Sequence, residues 1–172
     1  AAAVAVDSVG NVVVTGRSEG AGTGVDCYTA KYAAADGALL WEKRYNSSAN
    51  NLDEASGVAV DAAGNVVVTG KSGGNTDYYT ARYAATDGAL LWEKRYNGPS
   101  NSYDAAHSVA IDSSGNVVVT GESYGTGTSI DYYTAKYAAG DGMLLWEIRY
   151  NGPANSADQM GQVFPLIGKL AL

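Results

Sequence analysis

Val-Asp-Ser-Val-Gly-Asn-Val-Val-Val-Thr-Gly occupies residues 6–16 and returns as Val-Asp-Ala-Ala-Gly-Asn-Val-Val-Val-Thr-Gly at 60–70. A third copy, opening with Ile, stands at 111–121. Two further segments follow in the same order each time. Asp-Cys-Tyr-Thr-Ala-Lys-Tyr at 26–32 returns at 77–83 and 131–137 with small changes. Asp-Gly-Ala-Leu-Leu-Trp-Glu-Lys-Arg-Tyr-Asn at 36–46 returns at 87–97, and at 141–151 with two changes. The chain is therefore three copies of one unit, 1–54, 55–104 and 105–158, with a divergent tail at 159–172. The copies differ in length at one place. Arg17–Val25 and Glu122–Ile130 are longer than their counterpart, Lys71–Thr76.

Each unit reads as four strands. In the first copy these are Ala3–Asp7, Asn11–Gly16, Asp26–Ala33 and Ala38–Tyr45. Gly10 sits where a tight turn needs positive φ, and Asp36-Gly37 is a hairpin turn. Three consecutive valines suit a strand buried on both faces, because β-branched residues without polar alternation have no solvent side. In the third strand Tyr28, Ala30 and Tyr32 alternate with Cys27, Thr29 and Lys31. Gly16–Val25 reads as a Gly-rich loop, and Asn46–Glu54 as a polar connection to the next unit. No segment has helical period. Four antiparallel strands repeating at about 50 residues predict a β-propeller blade; a parallel β-solenoid would use shorter coils without internal hairpins. The fold class is thus all-β, with three four-stranded blades.

Composition narrows the function classes. Hydrophobic residues make up 46% of the 172, enough to bury a core, which excludes a wholly disordered chain. The net charge of −7 argues against a nucleic-acid partner, which needs a basic stripe. No apolar run is long enough for a membrane-spanning helix. A single cysteine, Cys27, excludes an internal disulfide and a cysteine-built zinc site. The chain opens at Ala1 inside a predicted strand, so either processing has removed a front segment or the chain is a piece of a longer protein.

Asp-x-x-Gly-Asn-Val-x-Val-Thr-Gly, then Asp-Tyr-Tyr-Thr-Ala-Lys-Tyr, then Asp-Gly-x-Leu-Leu-Trp-Glu, resembles the bacterial β-propeller repeat known as SBBP, over residues 1–158. The resemblance implies an extracellular or cell-surface protein built as a scaffold or interaction module. The Asp-Gly-x-Leu-Leu-Trp segment is also similar to the tryptophan-docking motif of quinoprotein propellers. Both resemblances imply that Trp41, Trp92 and Trp146 wedge between neighbouring blades.

Propellers close with about four to eight blades, and three leave the ring incomplete. The expectations are self-association, as a two-chain six-bladed ring or an open head-to-tail polymer, or a continuation in a longer chain. In the tail, Pro165 and Leu166 stand where the repeats have Val60-Asp61 and Ile111-Asp112, so the segment is a worn strand or a docking segment. Ile148 replaces Lys43 and Lys94, which suits an interface made only by the third blade.

The candidate chemistry is sparse. Asp7, Asp61 and Asp112 recur with Asn11, Asn65 and Asn116 as side-chain-capped turns rather than calcium loops, since Asp-x-Asp is missing. Asp26, Asp77 and Asp131 end the variable loop and are candidates for ligand contact. Most of the 13 tyrosines occupy repeated strand positions. Tyr103 and Tyr124 have no tyrosine counterparts, read as loop residues, and are the candidates for stacking on a glycan or peptide. His107 is the only histidine and matches Ala2 and Ser56. No asymmetric polar cluster stands out, so no catalytic residue, metal or cofactor is expected. The functional expectation is a non-enzymatic scaffold, with a glycan- or peptide-binding module on the variable-loop face as the alternative. A quinoprotein-like oxidoreductase is the weakest reading, because Arg44, Arg95 and Arg149 sit at repeated positions.

Overall fold

The structure, a computed structural model, describes residues 1–48 and 50–158; the docking reading of 159–172 lies outside the described residues. Twelve strands and no helix occur among them. The first sheet contains β1 (Ala3–Val6), β2 (Val12–Gly20), β3 (Gly24–Tyr32) and β4 (Leu39–Tyr45). The second contains β5 (Glu54–Val60), β6 (Val66–Ser72), β7 (Asp77–Tyr83) and β8 (Leu90–Tyr96). The third contains β9 (Asp104–Ile111), β10 (Val117–Tyr124), β11 (Ile130–Tyr137) and β12 (Leu144–Tyr150). Strands pair antiparallel in sequence order within each sheet, and no sheet closes on itself. These are three propeller blades in an incomplete ring. β1 packs beside β5 and β5 beside β9, so first strands form the inner edge and fourth strands the rim.

The turns form as their side chains dictate. The Asp7 carboxylate accepts the amides of Val9 (3.1 Å) and Asn11 (2.8 Å), and the Asn11 amide donates to it at 2.9 Å. Gly10 supplies the positive φ of 89° that closes the turn. Asn11 then accepts the Ala34 amide at 3.0 Å, which fastens the first turn to the β3–β4 hairpin. Asp61 and Asp112 repeat the same amide bonds.

One expectation needs correction. The stretch after Gly16 is strand rather than loop: β2 runs to Gly20, β3 begins at Gly24, and these two glycines pair. In the third blade β10 reaches Tyr124 and pairs with Ile130, so Tyr124 ends a strand. Gly, Ser and Glu are weak strand formers, but an antiparallel ladder with a short closing turn satisfies their backbone groups.

The valine triplets show which faces are covered. Val66, Val67 and Val68 are all buried, because the middle blade has a neighbour on each side. In the first blade only Val13 of Val12–Val14 is fully buried; in the third, Val117 and Val119 are and Val118 is not. Each blade therefore has a forward face and a backward face. Val13, Cys27 and Trp41 of the first blade pack forward against Ala55, Val66, Val68, Tyr79, Ala81 and Tyr83. Val67, Tyr78 and Trp92 of the second pack against the equivalent residues of the third, among them Ala106, Val117, Tyr133 and Tyr137.

Gly70 is fixed by close approach. A Cβ there would lie 2.0 Å from the Glu54 carbonyl oxygen, where β5 is bulged. Gly70→Ala is expected to destabilise the chain by about 1–3 kcal/mol in chemical denaturation. Gly140→Ala, where an added Cβ meets nothing, is the control and is expected to stay within about 0.5 kcal/mol.

Candidate functional site

Two joints hold the blades together, and their tryptophan and tyrosine contacts repeat. Trp41 Nε1 donates to the Ala85 carbonyl at 3.2 Å, and Trp92 Nε1 to the Ala139 carbonyl at 3.1 Å. The Tyr45 ring stacks on Tyr79 at 4.0 Å, and Tyr96 on Tyr133 at 3.7 Å. The stacked hydroxyls accept from the next blade's arginine, Arg95 to Tyr45 and Arg149 to Tyr96, both at 2.9 Å.

Beneath each tryptophan lies a buried cation. Lys31 pairs with Asp7 at 3.0 Å and also donates to the Ala85 (3.2 Å) and Gly64 (3.4 Å) carbonyls of the next blade. Arg82 pairs with Asp61 and donates to Ala139 (2.8 Å) and Gly115 (3.1 Å). An ion pair taken out of water is costly unless its remaining protons find acceptors, and the neighbouring blade supplies two carbonyls to each cation. The strand alternation of Cys27, Thr29 and Lys31 does not reveal this, because the covering atoms come from the next repeat.

The third blade carries the same donors without the neighbour. Trp146 is 42% exposed where Trp41 and Trp92 are 6%. Ile148 and Tyr150 are also exposed, and Lys136 keeps its pair with Asp112 at 2.7 Å. On the first blade's backward face Val4 and Val6 are 65% and 61% exposed, whereas Val58, Val60, Val109 and Ile111 pack into the joints. The paired leucines behave differently. Leu39-Leu40, Leu90-Leu91 and Leu144-Leu145 are equally exposed in all three blades, so they belong to the rim and not to the joints.

Asp26, Asp77 and Asp131 lie at the starts of β3, β7 and β11. Each accepts the arginine of its own blade's fourth strand: Arg44 at 3.1 Å, Arg95 at 3.5 Å and Arg149 at 2.9 Å. Asp26 and Asp131 are buried and also accept Thr23 (2.9 Å) and Thr128 (3.0 Å). These carboxylates staple the ends of their blades. Burial pushes the Cys27 thiol up, with Asp53 adding to the effect, so it stays protonated and non-nucleophilic.

Tyr103 and Tyr124 do come together, edge to face with ring centres 6.4 Å apart. They border a polar cluster at the inner edge. Lys71 stands over the Tyr103 ring at 5.5 Å and pairs with Glu54 at 3.5 Å, which also meets Arg17 at 3.7 Å. His107 Nε2 lies 3.3 Å from Glu122. Burial and the neighbouring Glu122 push the Tyr103 hydroxyl up to about 12. A cleft of about 180 Å³ opens here, lined by Glu54, Ser56, Lys71, Tyr103, Ala105 and His107. The Ser56 hydroxyl donates to the Ala106 carbonyl at 2.5 Å rather than to His107, so the cleft holds no serine–histidine pair.

This cluster is asymmetric, contrary to the expectation that none exists. Arg17, Lys71 and Glu122 occupy one position in the three repeats, as do Ala2, Ser56 and His107. The signal in the sequence is the charge reversal from Arg17 and Lys71 to Glu122 at one repeat position.

Burial alone would raise the Asp7 carboxyl, but hydrogen bonds from Lys31, the Asn11 side chain and two amides outweigh it and hold the group at about 2. Asp61, with Asn65 and Arg82 as partners, is also lowered against its burial. Unfolded carboxyls titrate at about 3.9, so the Asp7 pair contributes fully above about pH 5 and is lost as the pH falls towards about 2; the Asp61 pair shifts stability in the same direction. Asp7→Asn keeps the turn's shape but leaves Lys31 buried without its counter-ion. Its urea midpoint is expected to be lower at neutral pH and to fall less between about pH 4 and about 2 than the parent's. No protein-family model matches the chain, and comparison with curated proteins finds no match.

Proposed function

We propose that this chain is a non-catalytic β-propeller module of the SBBP-repeat type, an extracellular scaffold that assembles through its exposed blade faces. The observation that carries the reading is the contrast between Trp146 and its two equivalents. The same side chain, on the same strand position, is buried where a further blade follows and exposed where none follows among the described residues. Trp146, Ile148 and Tyr150 form a contiguous apolar strip on one strand, and full burial of each such side chain is worth about 1.5–3 kcal/mol. Family and compartment rest on the repeated motifs alone.

Light scattering with negative-stain imaging is the test. A mass of two chains or more, rising with concentration, is expected. A monomer at every concentration would overturn the reading.

The inner-edge cluster favours a second reading, a binding module for a glycan or an acidic or polar peptide. Tyr103 and Tyr124 offer ring surface beside Lys71 and His107, where the repeats reverse charge from Arg17 and Lys71 to Glu122. Glycan- and peptide-array binding is expected to weaken about tenfold on Tyr124→Ala if the reading holds, since a stacking contact is worth about 1–2 kcal/mol. Binding unchanged in that variant would remove it.

A further inference from the structure

We infer that a second copy of this chain seats the backward face of its first blade on the forward face of the third blade, head to tail, reproducing the internal joint residue for residue. The inference rests on the scaffold reading and names its partner. Both halves of the joint stand uncovered on the same molecule. Repeat equivalence places Trp146 Nε1 on the Ala34 carbonyl of the second copy, as Trp41 sits on Ala85 and Trp92 on Ala139. Lys136 meets the Gly10 and Ala34 carbonyls, as Lys31 meets Gly64 and Ala85. Tyr150 stacks on Tyr28, and Arg44 donates to the Tyr150 hydroxyl, as Arg95 does to Tyr45.

The seat for the tryptophan is open. A Cβ on Gly88 would lie 2.8 Å from Trp41 Cε3, and one on Gly142 would lie 2.9 Å from Trp92 Cε3. At Gly37, the equivalent position of the first blade, an added Cβ meets nothing within 4 Å. Tyr28 is half-buried where its equivalents Tyr79 and Tyr133 are buried. Ile148 supplies the one departure. Lys43 and Lys94 carry their Cε atoms to Gly88 and Gly142. An isoleucine in that place covers Gly37 without a charge and makes the contact between chains drier than the two within it. The two faces are different surfaces, so the contact is heterologous, and a face has no complement in its own kind.

The experiment uses two full-length variants. Trp146→Glu blocks the forward face, and Val4→Glu with Val6→Glu blocks the backward face; all three positions are exposed, so both variants fold. Ile148→Glu is the second forward-face variant. Light scattering is expected to show each variant assembling about 30-fold or more weakly than the parent. An equimolar mixture of the two is expected to restore a two-chain species, because one intact joint remains. A parent that assembles while the Trp146→Glu variant assembles equally well overturns this joint and leaves the scaffold reading standing. A variant that pairs with itself, or a mixture that stays monomeric, overturns the head-to-tail arrangement. A monomeric parent with Trp146 open to acrylamide quenching overturns both readings. A monomeric parent with Trp146 shielded overturns both in favour of the chain's own residues 159–172 as the cover.

Discussion

The Lys31 ammonium and the Arg82 guanidinium each serve two blades at once. A carboxylate of the home blade holds the charge, and two carbonyls of the next blade accept further hydrogen bonds from each cation, although the buried Arg82 Nε–H stays unpartnered. Neither arrangement is stable alone. Without the carboxylate the cation would be buried unpaired; without the carbonyls the pair would have given up water for nothing. The cation therefore ties the turn at the end of each first strand to the position of the following sheet. Trp41 and Trp92 lie over these cations and share the same carbonyls of Ala85 and Ala139, which keeps water from the polar contacts. Register and spacing between blades follow from this group of atoms.

A second polar lock operates at the other end of the blades. Asp53 accepts the Ser47 amide at 2.7 Å, the Ser72 hydroxyl at 2.5 Å and the Gly73 amide at 3.2 Å. Asp104 accepts the Gly98 amide at 2.6 Å, and its own amide donates to the Thr76 carbonyl. Each blade-to-blade connection is thus sealed to the β-turn of the blade before and the strand of the blade after. Connections that look free in composition, rich in Asn, Ser and Gly, are held by a buried aspartate. Any ligand at the Tyr103–Tyr124 end meets a surface fixed in advance, which lowers the entropy lost on binding.

Repeat length, hairpin turns and strand number were legible because they depend on neighbours close in sequence. Gly10 and Gly37 mark turns whatever surrounds them, and the valine triplet reports burial by its chemistry. The face assignments were less legible. Alternation places Lys31 beside Thr29 on one side of β3, but whether that side meets solvent depends on a sheet about 50 residues further on. The extension of β2 through Arg17–Gly20 was lost for a similar reason: local propensity disfavours it, and pairing with Gly24–Cys27 decides it. The inner-edge cluster was illegible from any one repeat. Glu54, Lys71 and Glu122 acquire meaning only when blades bring their inner strands together.

Conserving the joint leaves the inner edge free to vary. Repeat proteins derive their stability from nearest-neighbour interfaces, so a residue outside the interface changes without cost to the stack. Trp, Tyr, the buried cation and its carboxylate recur in every copy because each joint uses them all. Arg17, Lys71 and Glu122 differ because none of them enters a joint; they meet instead across the inner edge, through Glu54 and His107. Cys27 shows the boundary between the two regimes. Its counterpart Tyr78 donates to the Tyr133 carbonyl at 3.2 Å and lies against Gly121, whereas the thiol fills the equivalent place at the first joint without that bond. The first joint therefore lacks the hydrogen bond and the edge-to-face ring contact that Tyr78 makes with Tyr133. By the same measure a joint made by the third blade, with Tyr132 at that position, has the ring the first lacks. The uncovered face of the third blade thus carries the ring, tryptophan and cation positions that the second joint uses.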